Sequence, residues 1–181
     1  SFGHEAVGGS SDISTAAAAI ELMHKFTLVH DDLIDHEDRR RGRRCFHEVF
    51  GSKNAIIMGD FLISMSFNVL SRLRPAFKPK PVLSCYNILS ETLNSLCVGE
   101  VKDCLFEDRT NVTMPQYIQM IEEKTASLMR NGLRLGAVLG DAGKEELQLL
   151  SDYGRYLGIE FQIQNDINNL LSVEEESGRK K

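Results

Sequence analysis

Apolar residues recur along this chain at helical spacing, and almost nowhere with the alternation of a half-buried strand. The fold class is read as all-α. Gly3, Gly8 and Gly9 break the opening, which predicts a loop over Ser1–Ser11. Ala16–Ala19 with Ile20, Leu22 and Met23 predicts a helix from about Asp12 or Ser14 to about Ile34. Arg39–Phe46 reads as a basic loop. Met58, Leu62, Met65 and Val69 share one side of a second helix, about Lys53–Leu73. Pro75, Pro79 and Pro81 mark a connector, and a third helix covers about Val82–Leu105. Thr113 is placed to cap a fourth, with Pro115 in its first turn and Gln116 three residues on. That helix runs to about Leu139 with a bend near Lys124, and Gly140–Gly143 turns the chain into a fifth, about Lys144–Leu171. Helices of some twenty residues are about 30 Å long. Antiparallel helices of that length build a bundle around a deep cavity, able to hold an extended ligand.

Composition narrows the class without deciding it. A chain of 181 residues is enough for one domain with a sizeable core, and 42% hydrophobic with 26% charged residues is ordinary for a globular protein. A net charge of −5 implies no general affinity for nucleic acid. No apolar run is read as long enough for a membrane span, and no signal peptide is recognised. Cys45, Cys85, Cys97 and Cys104 lack metal-type or redox-type spacing and read as free thiols in a reducing, cytoplasmic compartment.

The candidate chemistry lies in two polar clusters on predicted helices. The first is His30-Asp31-Asp32-Leu33-Ile34-Asp35, followed by Arg39-Arg40-Arg41-Gly42. Asp31 and Asp35 stack one turn apart on one helix face and repel unless a cation lies between them. Oxygen ligands favour Mg²⁺, which keeps several waters and is usually completed by substrate phosphates. Asp32 turns aside as an outer ligand, and Arg40 and Arg41 can fold back with forks suited to phosphate oxygens. The second cluster is Asn165-Asp166-Ile167-Asn168-Asn169, where Asn165 and Asn169 repeat the four-residue spacing without charge. Lys124-Thr125 offers an ammonium and a hydroxyl to a diphosphate, and Gln162 lies on an apolar stretch. Each group has a plainer reading beside this one: a solvated acidic helix end, a solvated polar face, a surface Lys–Glu pair, a hydrogen-bonded core amide. Nucleophile motifs, Walker loops and dinucleotide fingerprints are absent.

Taken together these residues resemble the trans-isoprenyl diphosphate synthases, closest in pattern to the short-chain geranylgeranyl and farnesyl enzymes. The resemblance runs from Glu5-Ala6-Val7-Gly8-Gly9 through Asp31–Asp35, Arg40-Arg41-Gly42, Gly59-Asp60, Gly99-Glu100, Lys124-Thr125 and Phe161-Gln162. It implies an isoprenoid-synthase helical domain over 1–181 and a Mg²⁺-dependent prenyltransferase of lipid and isoprenoid biosynthesis. Such an enzyme condenses isopentenyl diphosphate with an allylic diphosphate. Asp31 and Asp35 would bind two of three diphosphate-bridged Mg²⁺ ions, and Asn165, with Asp166 and Asn169 beside it, would fall at the third. Arg40, Lys124 and Gln162 would contact the allylic diphosphate, with Thr125 near it and Arg41 on isopentenyl diphosphate. Asp31, Asp35 and Lys124 would carry the catalysis, and Phe26, five before Asp31, would help floor the product tunnel. A homodimer is implied, and a hetero-oligomer is compatible with the pattern.

Two departures from the family pattern stand out. Asn165 replaces the usual leading Asp of the second motif, a lost charge worth a few kcal/mol beside Mg²⁺ at an effective dielectric of about 20. Class I terpene cyclases use Asn as a metal ligand, so Asn165 stays a candidate. The Gly-Lys-Arg motif that grips isopentenyl diphosphate does not occur in Ser1–Ile13. Gly178-Arg179-Lys180-Lys181 resembles the start of a basic flap, and the chain reads as the central part of a longer protein. The alternatives are a terpene cyclase-like enzyme and a non-catalytic partner subunit.

Overall fold

The computed structural model describes residues 1–74 and 76–178. Arg179-Lys180-Lys181, read as the start of a flap, and Pro75 lie outside the described residues. Long helices make the architecture: α1 (Phe2–Glu5), α2 (Ser14–Ile34), α3 (Phe46–Phe50), α4 (Ser52–Leu70), α5 (Pro79–Glu107), α6 (Met114–Ile121), α7 (Ser127–Leu139) and α8 (Lys144–Gly178). Between α6 and α7 the helix widens by one residue per turn over Glu122–Ala126. α2 packs along α4, α7 along α8, and α5 along α7, giving the antiparallel bundle. The core is shared by Ala16, Ala19, Met23 and Phe26 of α2, Leu70 of α4, Cys85, Leu89 and Leu96 of α5, and Leu135 and Leu139 of α7.

The predicted helices are present, and the differences have local causes. The opening is not all loop, since Phe2–Glu5 forms one helical turn. Pro79 and Pro81 do not belong to a connector. They sit in the first turn of α5, where a missing N–H costs nothing. The basic loop is a hairpin of β1 (Arg39–Arg40) on β2 (Arg43–Arg44), with Arg40 opposite Arg43. Its two-residue turn has positive φ at both Arg41 (51°) and Gly42 (78°), the twist that matches paired strands. The predicted cap holds, with the Thr113 N–H donating to Gln116 Oε1 at 2.9 Å.

The expectation about membrane spans is corrected. Ser52–Leu73 has 22 residues and a mean hydropathy of 1.3 in its most apolar window, enough to cross a membrane by length and composition. The cause is that α4 is apolar on two faces. Ala55, Gly59, Ser66 and Leu70 are buried, while Ile56, Ile57 and Phe61 are at least half exposed.

Candidate active site

α2, α5, the widened turn and α8 enclose a cavity of about 970 Å³. Phe26, Asp31, Asp35, Arg40, Arg41, Lys124, Thr125, Gln162, Asn165, Asp166 and Asn169 all line it. Residues predicted from separate segments thus converge on one space. Asp32 does not line it. Its buried carboxylate accepts from Arg40 Nε at 2.5 Å, which ties the hairpin to the end of α2.

Two close helix approaches build the walls. A Cβ on Gly99 would lie 2.2 Å from the Lys124 backbone nitrogen, so only glycine lets α5 reach the widened turn. A Cβ on Gly158 would lie 2.4 Å from Ala126 Cα, and α8 comes in there. One turn beyond Gly158, Gln162 meets Thr125, whose hydroxyl donates to Gln162 Oε1 at 2.8 Å. The widened turn inserts one extra residue where Lys124 and Thr125 must both face the cavity, a common use of such bulges.

The polar end of the cavity is strongly charged. Lys124 Nζ lies 2.6 Å from Asp103, 2.9 Å from Glu100 and 3.8 Å from Asp31. Burial alone would depress the Lys124 pKa, but the hydrogen bonds it donates to Asp103 and Glu100 and the charge of Asp31 hold it above its ordinary range. Burial pushes Asp31 up to about 7, with Glu100 and Asp35 adding to the rise against the pull of Lys124. Asp35 is raised as well, first by burial and then by Glu100, Asp103 and Glu107. Four carboxylates therefore share one ammonium. Glu100 and Asp103 were missed as charge-bearing site residues. Their spacing on α5 repeats the one-face rule, but the sequence does not say which helix faces Asp31.

This end fits Mg²⁺. Its donors are hard carboxylate oxygens, Glu100 Oε1 is buried without a hydrogen-bond partner, and burial, with the neighbouring carboxylates, already pushes Asp31 toward its protonated form. Among the described residues no three acidic, His or Cys side chains converge closely enough to cage an ion alone. An ion held by Asp31 and Asp35 would be completed by water and substrate oxygens, which is how Mg²⁺ is usually bound.

The apolar part of the lining comes from Phe26, Ile34, Leu96, Met120, Ile121 and Leu128. Phe26 is 6% exposed and sets its ring edge-on to His30, centroids 5.6 Å apart. His30 is a packing residue, its Nε2 lying 3.2 Å from the Ile56 carbonyl oxygen.

A bundle of long helices around a cavity that carries acids, cations and apolar side chains defines an isoprenoid-synthase type of protein. The profile of the polyprenyl synthetase family matches residues 4–181, and the chain belongs to that family. It is 41% identical over 176 residues to the geranylgeranyl diphosphate synthase of Methanosarcina mazei, covering 97% of this chain and 54% of that protein. It is 38% identical over 168 residues to a short chain isoprenyl diphosphate synthase of Methanocaldococcus jannaschii, covering 93% of this chain and 50% of that protein. The solved geranylgeranyl pyrophosphate synthetase of Geoglobus acetivorans superposes with a TM-score of 0.86 at 34% identity, covering 93% of this chain and 55% of that one. The chain spans about half the length of the curated relatives it matches.

Proposed function

We propose that the protein carrying this chain is a Mg²⁺-dependent trans-prenyltransferase that joins isopentenyl diphosphate to an allylic diphosphate and releases a short-chain product, geranylgeranyl or farnesyl diphosphate. The observation that carries the reading is one cavity lined both by paired carboxylates, Lys124 and two arginines and by aliphatic and aromatic side chains. A diphosphate suits the charged lining and a prenyl tail the apolar lining. The names of the similar proteins support the same chemistry and product class.

Each residue has a task in this reading. Asp31 and Asp35 hold Mg²⁺, which when bound supplies the positive charge that stabilises a departing diphosphate. Lys124 and Arg40 neutralise that diphosphate as its charge develops, in a site already organised before substrate arrives. Thr125 and Gln162 orient it by hydrogen bonds, and Arg41 at the hairpin turn receives isopentenyl diphosphate. The apolar wall excludes water from the allylic cation. Phe26 limits the length of the product. In this reading the chain belongs to a single isoprenoid-synthase domain that works in the cytoplasm. The bare apolar face of α4, with Ile56, Ile57 and Phe61, supports a contact between copies in a homo-oligomer.

Product analysis with Mg²⁺, isopentenyl diphosphate and allylic primers of increasing length tests the reading. Elongated prenyl diphosphates are expected. Primer consumed without elongation would point to a cyclase, and a folded protein inert with every primer would point to a partner subunit. The replacement of aspartate by Asn165 is the observation that favours the partner subunit as the second reading.

A further inference from the structure

The second polar cluster does not fit the role its position suggests. Asn165 and Asn169 are neutral, so Asp166 brings its only carboxylate to the cavity. Both oxygens of that carboxylate are already engaged. Oδ1 accepts from Gln162 Nε2 at 2.8 Å, and Oδ2 accepts from the Tyr117 hydroxyl at 2.5 Å. Gln162 in turn accepts from Thr125 through Oε1. The proton direction is fixed along the chain Thr125–Gln162–Asp166, and Asp166 is its terminal acceptor.

The two donors to Asp166 come from different elements, α6 and α8. Moving the carboxylate onto an ion would strip the acceptor from both, and a partly buried donor left unpaired costs free energy. At Asp31 the balance is reversed. Asp31, Glu100 and Asp103 crowd the one ammonium of Lys124 within 3.8 Å, and Asp35 lines the same cavity one turn from Asp31, so the unmet demand for positive charge lies there.

We propose that this protein binds two divalent ions rather than three, both on the Asp31 side, and that Asp166 is a positioning residue that holds Gln162 and Thr125 in place rather than a metal ligand. The proposal rests on the reading of the site as a Mg²⁺–diphosphate site. The missing charge at Asn165 sets the count, and Tyr117 keeps Asp166 committed to its structural partners.

The test counts ions directly. The full protein is titrated with Mn²⁺ in the presence of inorganic diphosphate, and free Mn²⁺ is read by electron paramagnetic resonance. Two tight ions per chain are expected for the wild type, three for Asn165→Asp, and still two for Asp166→Asn, whose melting temperature should fall. Three ions in the wild type would overturn the proposal and leave the proposed function standing. Loss of an ion in Asp166→Asn would make Asp166 a ligand and overturn it too. A count in Asn165→Asp unchanged from the wild type, with the fold intact by circular dichroism, would refute the missing charge as the cause. No tight ion in any of the three would overturn the proposal and the metal-dependent reading together.

Discussion

At the scale of single residues, charge is concentrated where burial makes it expensive. Asp31 is raised from 3.8 to about 7, first by burial and then by its carboxylate neighbours. The folded chain therefore holds that proton more tightly than the unfolded chain, and Asp31 erodes stability as pH rises from 3.8 to about 7. Without metal, Asp31→Asn should be more stable than wild type at pH 8 and equal to it below 3.8. With metal, the same change should lower turnover at least about a hundredfold, because a developing negative charge loses its stabiliser. Chemical denaturation at the two pH values and steady-state rates check the pair, and a destabilised Asn variant at pH 8 would refute the burial argument. Asp31 and Asp35 were legible because helical spacing alone stacks them. Tyr117 was not, since its partner Asp166 lies 49 residues away on another helix. Nothing local distinguishes Tyr117 from a half-buried aromatic. Glu100 stands out in the sequence only through the family resemblance, and its charge acquires meaning from Lys124, 2.9 Å away.

At the scale of elements, periodicity gave α2, α4 and α5 close to their observed limits, while α8 continues from the expected Leu171 to Gly178. Proline placement misled, because the same residue that breaks a helix interior is favoured in a first turn. The bend expected near Lys124 is a widened turn over Glu122–Ala126, and two contacts hold it. One is the glycine approach from α5. Gly99→Ala would drive a methyl group into the Lys124 backbone, which cannot give way cheaply. The expected cost is about 1–3 kcal/mol by overpacking, and the displaced Lys124 should cost about a hundredfold in rate. A variant with wild-type melting temperature and rate would disprove the approach. The other contact is an ion pair to α8, in which Arg155 meets both oxygens of Glu122, at 2.8 and 2.7 Å. The Arg155 hydrogen bond holds the Glu122 pKa below its ordinary 4.5. Its stabilising share is full above that value and is lost as pH falls through the lowered one. Both partners are partly exposed, so Glu122→Gln should cost no more than about 1 kcal/mol at neutral pH. The gap should close in acid. Urea melts at pH 7 and pH 3 measure it, and a gap that widens in acid would reverse the sign argued here.

At the scale of the whole molecule, the bundle encloses a cavity whose lining passes into the core along α2. Phe26 stands at that place, lining the cavity while belonging to the core, with Met23, one turn deeper, fully buried. The structural relatives include both geranylgeranyl and heptaprenyl synthases, so the fold alone does not fix product length. In the proposed reading a side chain at the floor does. Phe26→Ala removes a ring that meets His30 edge-on and opens volume beside the cavity, where the proposed reading puts the end of the prenyl tail. The cavity should cost about 3–5 kcal/mol of stability if it stays empty. A growing prenyl chain can fill it, so product should lengthen by at least one isoprene unit while the variant melts earlier. Chromatography of the dephosphorylated alcohols, beside a thermal melt with and without a long allylic diphosphate, separates the two effects. A longer product and a melt partly restored by the long ligand would mean that the tail occupies the space Phe26 vacates. An unchanged product in a folded variant would place the floor deeper, at Met23, and leave Phe26 as core alone.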